Sequence, residues 1–214
     1  MARLLFRSAV ALGVLGLWLI PGRAPATVEE QRARLPPPAH CEDPVTGVWK
    51  AHKYDPRYRD WYIFTLTIRR VPGEKSATDL EGTINSHFWN GDNKQSEPPP
   101  CGIGVRHVSV HMEGQGRITD DGEVQFWGTS WRPENAFCGP PIRRGEYNLD
   151  HFSGRIDPKI QEFQSVNNDG GRSVNDPMVF RRVACDQPPP APHVNPVAPP
   201  FEPPQVGGCG CRAH

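Results

Sequence analysis

Tryptophan carries the clearest chemical pattern in this 214-residue chain. In period-two segments, Trp61 shares its parity with Thr65 and Thr67, Trp89 with Asn85 and His87, and Trp127 and Trp131 with Gln125 and Thr129. Flat indoles beside amide, imidazole and hydroxyl groups suit a saccharide or a small polar ring, which needs an apolar platform with hydrogen-bonding groups around it. Trp61, Asn85, His87, Trp89, Trp127, Thr129 and Trp131 are therefore the candidate ligand-binding residues. The competing reading is structural. Tryptophans at strand ends often cap a core, and one β-bulge flips the parity of everything after it.

Other chemistries are less well supported. His107 and His111 fall on one strand face, ~13 Å apart at strand rise, too far to ligate one zinc together. A site would need His87 and a further ligand, so no metal is expected, and no cofactor. Asp150, Asp157, Glu162 and Asp169 are scattered. Two of them would serve as acid and base on a glycoside only if the fold set them roughly 5–9.5 Å apart. Gly-x-Ser-x-Gly, His-Glu-x-x-His and phosphate-binding glycine loops are absent, and no catalytic residue is assigned. Asn90-Gly91-Asp92-Asn93 and Asn167-Asn168-Asp169-Gly170 lack the spacing of a calcium loop and read as turns. The polar run from Phe163 to Asp169 ends near a glycine pair and suits the rim of an opening.

Strands must position these residues. Tyr62, Phe64, Leu66 and Ile68 alternate with Ile63, Thr65, Thr67 and Arg69. Similar alternation runs through 80–89, 107–112 and 124–131, and further strands are expected near 46–53, 146–157, 161–167 and 178–184. Pro72-Gly73, Asn90-Gly91, Asp120-Asp121-Gly122 and Asp169-Gly170-Gly171 supply turns. About eight sequential strands on short links predict an all-β fold, an antiparallel meander closed as a barrel or packed as a two-sheet sandwich. Closure would remove exposed strand edges.

Thr46-Gly47-Val48-Trp49, opening the first strand of such a meander, resembles the Gly-x-Trp start of calycins, the lipocalin- and avidin-type β-barrels. That resemblance implies a barrel whose Trp closes one end and whose interior holds a small molecule.

Composition sets the boundaries. Arg3 and Arg7 precede the apolar run Ala9 to Ile20, and Ala24-Pro25-Ala26 supplies a small-x-small site, so residues 1–26 read as a signal peptide with the mature chain starting at Thr27. The run is short for a membrane span, and no later run could form one. The whole chain balances 24 basic against 24 acidic residues. Losing Arg3, Arg7 and Arg23 leaves a slight acidic excess, which offers no drive toward nucleic acid.

Many of the 25 prolines fall in two clusters. Residues 27–40 read as a mobile leader: Glu29 to Arg34 could make a helical turn, but Pro36-Pro37-Pro38 stops it. Residues 186–214 read as a proline-rich tail favouring polyproline II. Between them lies one domain, 41–185. Export brings its cysteines into an oxidising compartment. Cys41 and Cys185 bracket the domain, and Cys101 and Cys138 lie in similar proline-glycine loops, so Cys41–Cys185 and Cys101–Cys138 are the expected disulfides. Cys209 and Cys211, one glycine apart, are badly placed to bond each other. They suit a crosslink to a partner or a surface attachment.

The sequence reading is an exported, non-catalytic binding module for a small polar or saccharide ligand or a surface partner. The alternative is a displayed cell-surface protein whose tail carries attachment. A two-carboxylate hydrolase ranks last.

Overall fold

A computed structural model describes residues 28–73, 75, 77–143, 145–171 and 174–185. Residues 1–27 and 186–214, where the signal peptide and the proline-rich tail with Cys209 and Cys211 are expected, lie outside the described residues.

Eight antiparallel strands run in sequence: β1 (Gly47–Asp55), β2 (Asp60–Arg70), β3 (Asp79–Asn90), β4 (His107–Ile118), β5 (Val124–Cys138), β6 (His151–Asp157), β7 (Glu162–Asn167) and β8 (Asp176–Ala184). Each pairs with the next, and β8 returns to β1 to close a barrel. Of the two predicted packings, the barrel forms. Residues 146–150, expected to be strand, belong instead to the connection between β5 and β6.

The period-two pattern sorts residues as read. Phe64, Leu66, Ile68, Leu80, Ile84, Met112, Phe126, Phe152, Phe163 and Phe180 fill the interior. Two glycines let the strands approach closely. Gly82 has φ 151°, and a Cβ there would stand 1.8 Å from the Thr67 carbonyl oxygen. At Gly114 a Cβ would meet the Phe126 ring at 2.7 Å, so this glycine makes room for that ring.

One end of the barrel is sealed. Trp49 is fully buried and donates from Nε1 to the Val45 carbonyl (2.9 Å). The Arg182 guanidinium lies 4.7 Å from the Trp49 ring centroid. Its two terminal nitrogens donate to the carbonyls of Asp43, Pro44 and Thr46, which sets backbone oxygens against the buried charge. Burial lowers the Arg182 pKa, opposed by Asp43. The Cys41–Cys185 disulfide ties the chain together at this end, and Cys101–Cys138 joins the β3–β4 connection to the end of β5. Both are the pairs expected from the sequence.

The β1–β8 closure is partial. Only Val48 to Lys50 pair with β8, across a register shift. Higher up, the gap is bridged from outside. The sequence reading of 27–40 as a mobile leader differs from what is seen: Val28–Ala33 form helix α1, which packs on β8 and β1. Gln31 is fully buried; its side-chain amide accepts from Val179 N (3.0 Å) and donates to the Pro177 carbonyl (3.2 Å), as a neighbouring strand would. Arg32 donates to Glu162 (2.7 Å), which also holds Arg181 (2.9 Å). An unpaired sheet edge leaves backbone donors and acceptors without partners, and the Gln31 amide supplies both in the right spacing.

Candidate functional site

The end opposite Trp49 is hollow. A cavity of about 330 Å³ reaches from the barrel interior to solvent beside the exposed residues Gly145, Glu146, Asn148 and Gly171.

One wall is aromatic. Tyr62 stacks on Phe64 (5.9 Å, 5°) and on Phe88 (5.8 Å), Phe88 stacks on Tyr147 (6.0 Å), and Trp131 packs behind Tyr147 (6.0 Å). Register explains the first contacts: Tyr62 lies opposite Phe88 across β2–β3, and both follow the inward parity of Phe64 and Ile84. Met178, from β8, completes the apolar lining.

The other wall is polar. Lys53 and Asp55 share the parity of Trp49 and Ala51, so β1 turns apolar at the sealed end and charged at the mouth. Lys53, only 3 % exposed, pairs with Asp176 and donates to the Pro177 carbonyl. Asp55 takes a two-point contact from Arg57 (3.2 and 2.9 Å). Burial works to raise the Asp55 pKa, but the Arg57 hydrogen bonds and charge outweigh it and leave it lowered.

Asp150 is different. It is 3 % exposed and accepts from Asn167 Nδ2 (2.8 Å) and Tyr147 Oη (2.9 Å). Both donors are neutral. Burial raises its pKa to about 7 despite those hydrogen bonds, with the neighbouring charge of Asp169 adding to the rise. Burial, then Asp150, also pushes the Tyr147 phenol well above its usual value. The site therefore holds a buried carboxyl able to hold or release a proton near neutrality, beside an aromatic wall.

The sequence-predicted residues do not line this cavity together. Trp61 and Trp89 are fully buried and stacked (6.3 Å, 12°), but on the outside of the barrel. The β3–β4 connection covers them, accepting their Nε1 protons at Asp92 O (2.8 Å) and Gln95 O (2.9 Å), and Arg34 lies 4.8 Å from the Trp61 ring centroid. His87 stands on that outer face near His107 and Phe137, and Asn85 bonds His111 (2.7 Å). Burial holds the His52, His87 and His107 imidazoles below their ordinary pKa. Trp127 lies outside too, edge-on to His151 (5.8 Å), in a shallow depression with Gln125 and Arg117. Thr129 is exposed and donates to the Glu113 carbonyl (3.2 Å).

Trp131 departs from the expected shared parity. A register shift at Glu113/Gly114 places Gly128 opposite Gly114 but Ser130 opposite Glu113, so residue 129 is extra and Trp131 turns to the side of Met112. Of the seven residues, Trp61 and Trp89 form the covered outer pair, Trp127 lies in an outer depression, Trp131 stands behind the cavity wall, and Asn85, His87 and Thr129 make separate contacts outside the cavity.

Of the scattered acids, Asp150 and Asp169 meet at the cavity. Asp157 and Glu162 face each other across β6–β7, Glu162 being taken up by arginines. Asn167 and Asp169, from the polar run thought to suit a rim, do line the opening. Sequence reasoning missed Lys53, Tyr62, Phe88, Tyr147 and Asp176. A usable signal was present: Lys53 and Asp55 continue the core parity of Trp49, and charges on a core-facing parity mark a polar-lined cavity. Among the described residues, no three His, Cys, Asp or Glu side chains are grouped to hold a metal ion, and no helix is long and apolar enough to cross a membrane.

No protein-family model, curated protein sequence or solved structure matches this chain significantly.

Proposed function

We propose that this protein is an exported, non-catalytic barrel that binds a small molecule in the cavity walled by Tyr62, Phe88, Tyr147, Asp150 and Met178. The observation that carries the reading is the asymmetry of the barrel, plugged by Trp49 and Arg182 at one end and hollow at the other. A core built only for stability is packed throughout. A cavity of this size with a few convergent polar groups is the usual form of a ligand site. The Trp49–Arg182 plug also supports the calycin-like reading of Gly47-Val48-Trp49. Export is supported by the two disulfides, which form in oxidising compartments.

The outer tryptophans have a structural role in this proposal, with Trp127 a secondary contact surface and Trp131 a buttress of the cavity wall. The ligand is accordingly sought in the interior rather than on a saccharide-binding face.

A thermal-shift screen of small polar and aromatic compounds tests the proposal. Met178 is 3 % exposed and lines the cavity, so Met178→Trp fills it. Compounds at about 100 times their Kd should stabilise the native protein by about 2.7 kcal/mol and leave Met178→Trp unmoved, while its circular dichroism stays that of a folded barrel. Hits that stabilise both proteins equally would defeat the cavity reading. A screen without hits would leave the displayed, tail-attached protein as the better account.

A further inference from the structure

Five carboxyl groups line the cavity, and their pairing is uneven. Asp176 has Lys53, Asp55 has Arg57, and Glu146 has Arg106 at 3.5 Å. Asp169 accepts from Gly171 N at 2.8 Å and has a further interaction. Asp150 sits deeper than Glu146 or Asp169, and its two hydrogen-bond donors are both neutral. The charged and titratable groups around it come from several elements. Glu146 and Tyr147 lie in its own connection, and Asn167 and Asp169 lie at the end of β7 and just beyond. The Lys53–Asp176 and Asp55–Arg57 pairs belong to the polar wall, and the next residue, His151, turns outward to Trp127. No described cation forms an ion pair with Asp150. A carboxylate has about four acceptor sites, and only two hydrogen bonds fill them here. Tyr62, Phe88 and Tyr147 line the same cavity as a stacked aromatic row, against which a flat apolar group packs.

Building on the cavity reading, we infer that the ligand is an organic cation, an ammonium on a flat apolar body, with the ammonium seated against Asp150 and the body against Tyr62 and Phe88. The ammonium supplies the charge that Tyr147 and Asn167 do not. It stays charged across neutrality as a lysine does, so binding draws Asp150 into its ionised form. An anionic ligand would meet an excess of carboxylates, and the cavity's own Lys53 and Arg106 are already engaged.

Calorimetric titration with three probes that share a phenylethyl body tests this: 2-phenylethylamine, 2-phenylethanol and 3-phenylpropanoate. The amine should bind at least about tenfold more tightly than the alcohol at pH 8, a gap of about 1.4 kcal/mol. Its affinity should rise roughly tenfold from pH 6 to pH 8 as Asp150 ionises, while the alcohol stays flat. Asp150→Asn keeps the shape of the group and removes its charge. It should abolish both the amine's advantage and its pH slope, with alcohol affinity retained. If that variant does not fold, the pH slope of the unaltered protein, amine against alcohol, decides alone. An amine no tighter than the alcohol, or a slope surviving in Asp150→Asn, overturns the cation assignment. If the alcohol or the acid binds and is blocked by Met178→Trp while the amine does not bind, the cavity reading stands and the cation inference fails. If none of the three binds, the cation inference is overturned for this probe set, and the compound screen judges the cavity.

Discussion

Replacing Asp150 with Asn should remove one pH-dependent part of the protein's stability. The Asp150 carboxyl titrates at about 7 in the fold because it is buried among neutral partners, against about 3.9 in an unfolded chain. A raised folded pKa means that the folded state holds the proton more tightly. The stabilisation is therefore fully present below pH 4, is lost as pH rises through 7, and does not change above that. Three pH units at about 1.4 kcal/mol each make the loss about 4 kcal/mol. Other carboxyls work the opposite way: Asp43 and Asp55 titrate below the usual range because hydrogen bonds and charges from Arg70 and Arg57 outweigh burial. Only the difference between Asp150→Asn and the unaltered protein isolates the single group. Urea unfolding followed by fluorescence at pH 4 and pH 8 measures it. The variant should gain about 4 kcal/mol relative to the native chain between those two values. A swing below about 1 kcal/mol, or one favouring the native chain at pH 8, would refute the claim that Asp150 is buried without a compensating cation.

The tryptophans should separate by location. Trp89→Ala removes a fully buried ring and should cost about 3–5 kcal/mol in chemical unfolding, whereas Trp127→Ala, on the outer face, should cost about 1 kcal/mol. Gln31→Ala deletes two bonds to the β8 backbone. It should cost about 2–3 kcal/mol and speed hydrogen exchange at the Val179 amide while amides in β3 and β4 stay protected. Replacing Cys41 and Cys185 by serine opens a link of sequence separation 144 and should lower stability by about 4–5 kcal/mol, read from the denaturant midpoint.

Much of the barrel was legible because it rests on local chemistry. Alternation along β2, β3 and β4 states which side chains face inward, and turn residues state where the chain reverses. Cys41 and Cys185, at the two ends of the patterned region, marked its closure. Parity failed where the ladder itself was irregular. The extra residue at 129 turns Trp131 inward, and hydrophobicity alone does not show which residue of a strand will bulge. Trp61 and Trp89 stack on the outer face, and only the fold shows that the connection around Asp92 and Gln95 covers them.

Strand order, the inward parity of β2, β3 and β4 and the two disulfides followed from the sequence by itself, because each depends on neighbours in the chain or on the pairing of a few cysteines. The tertiary structure decided where the space lies. Gln31 serves the β8 edge from a segment that read as a mobile leader, and Arg182 meets Trp49 across more than a hundred residues. Asp150, Tyr147 and Asn167 acquire their chemistry only when the β5–β6 connection folds against the end of β7. A carboxyl's charge state depends on what surrounds it, and those surroundings exist only after the barrel has closed.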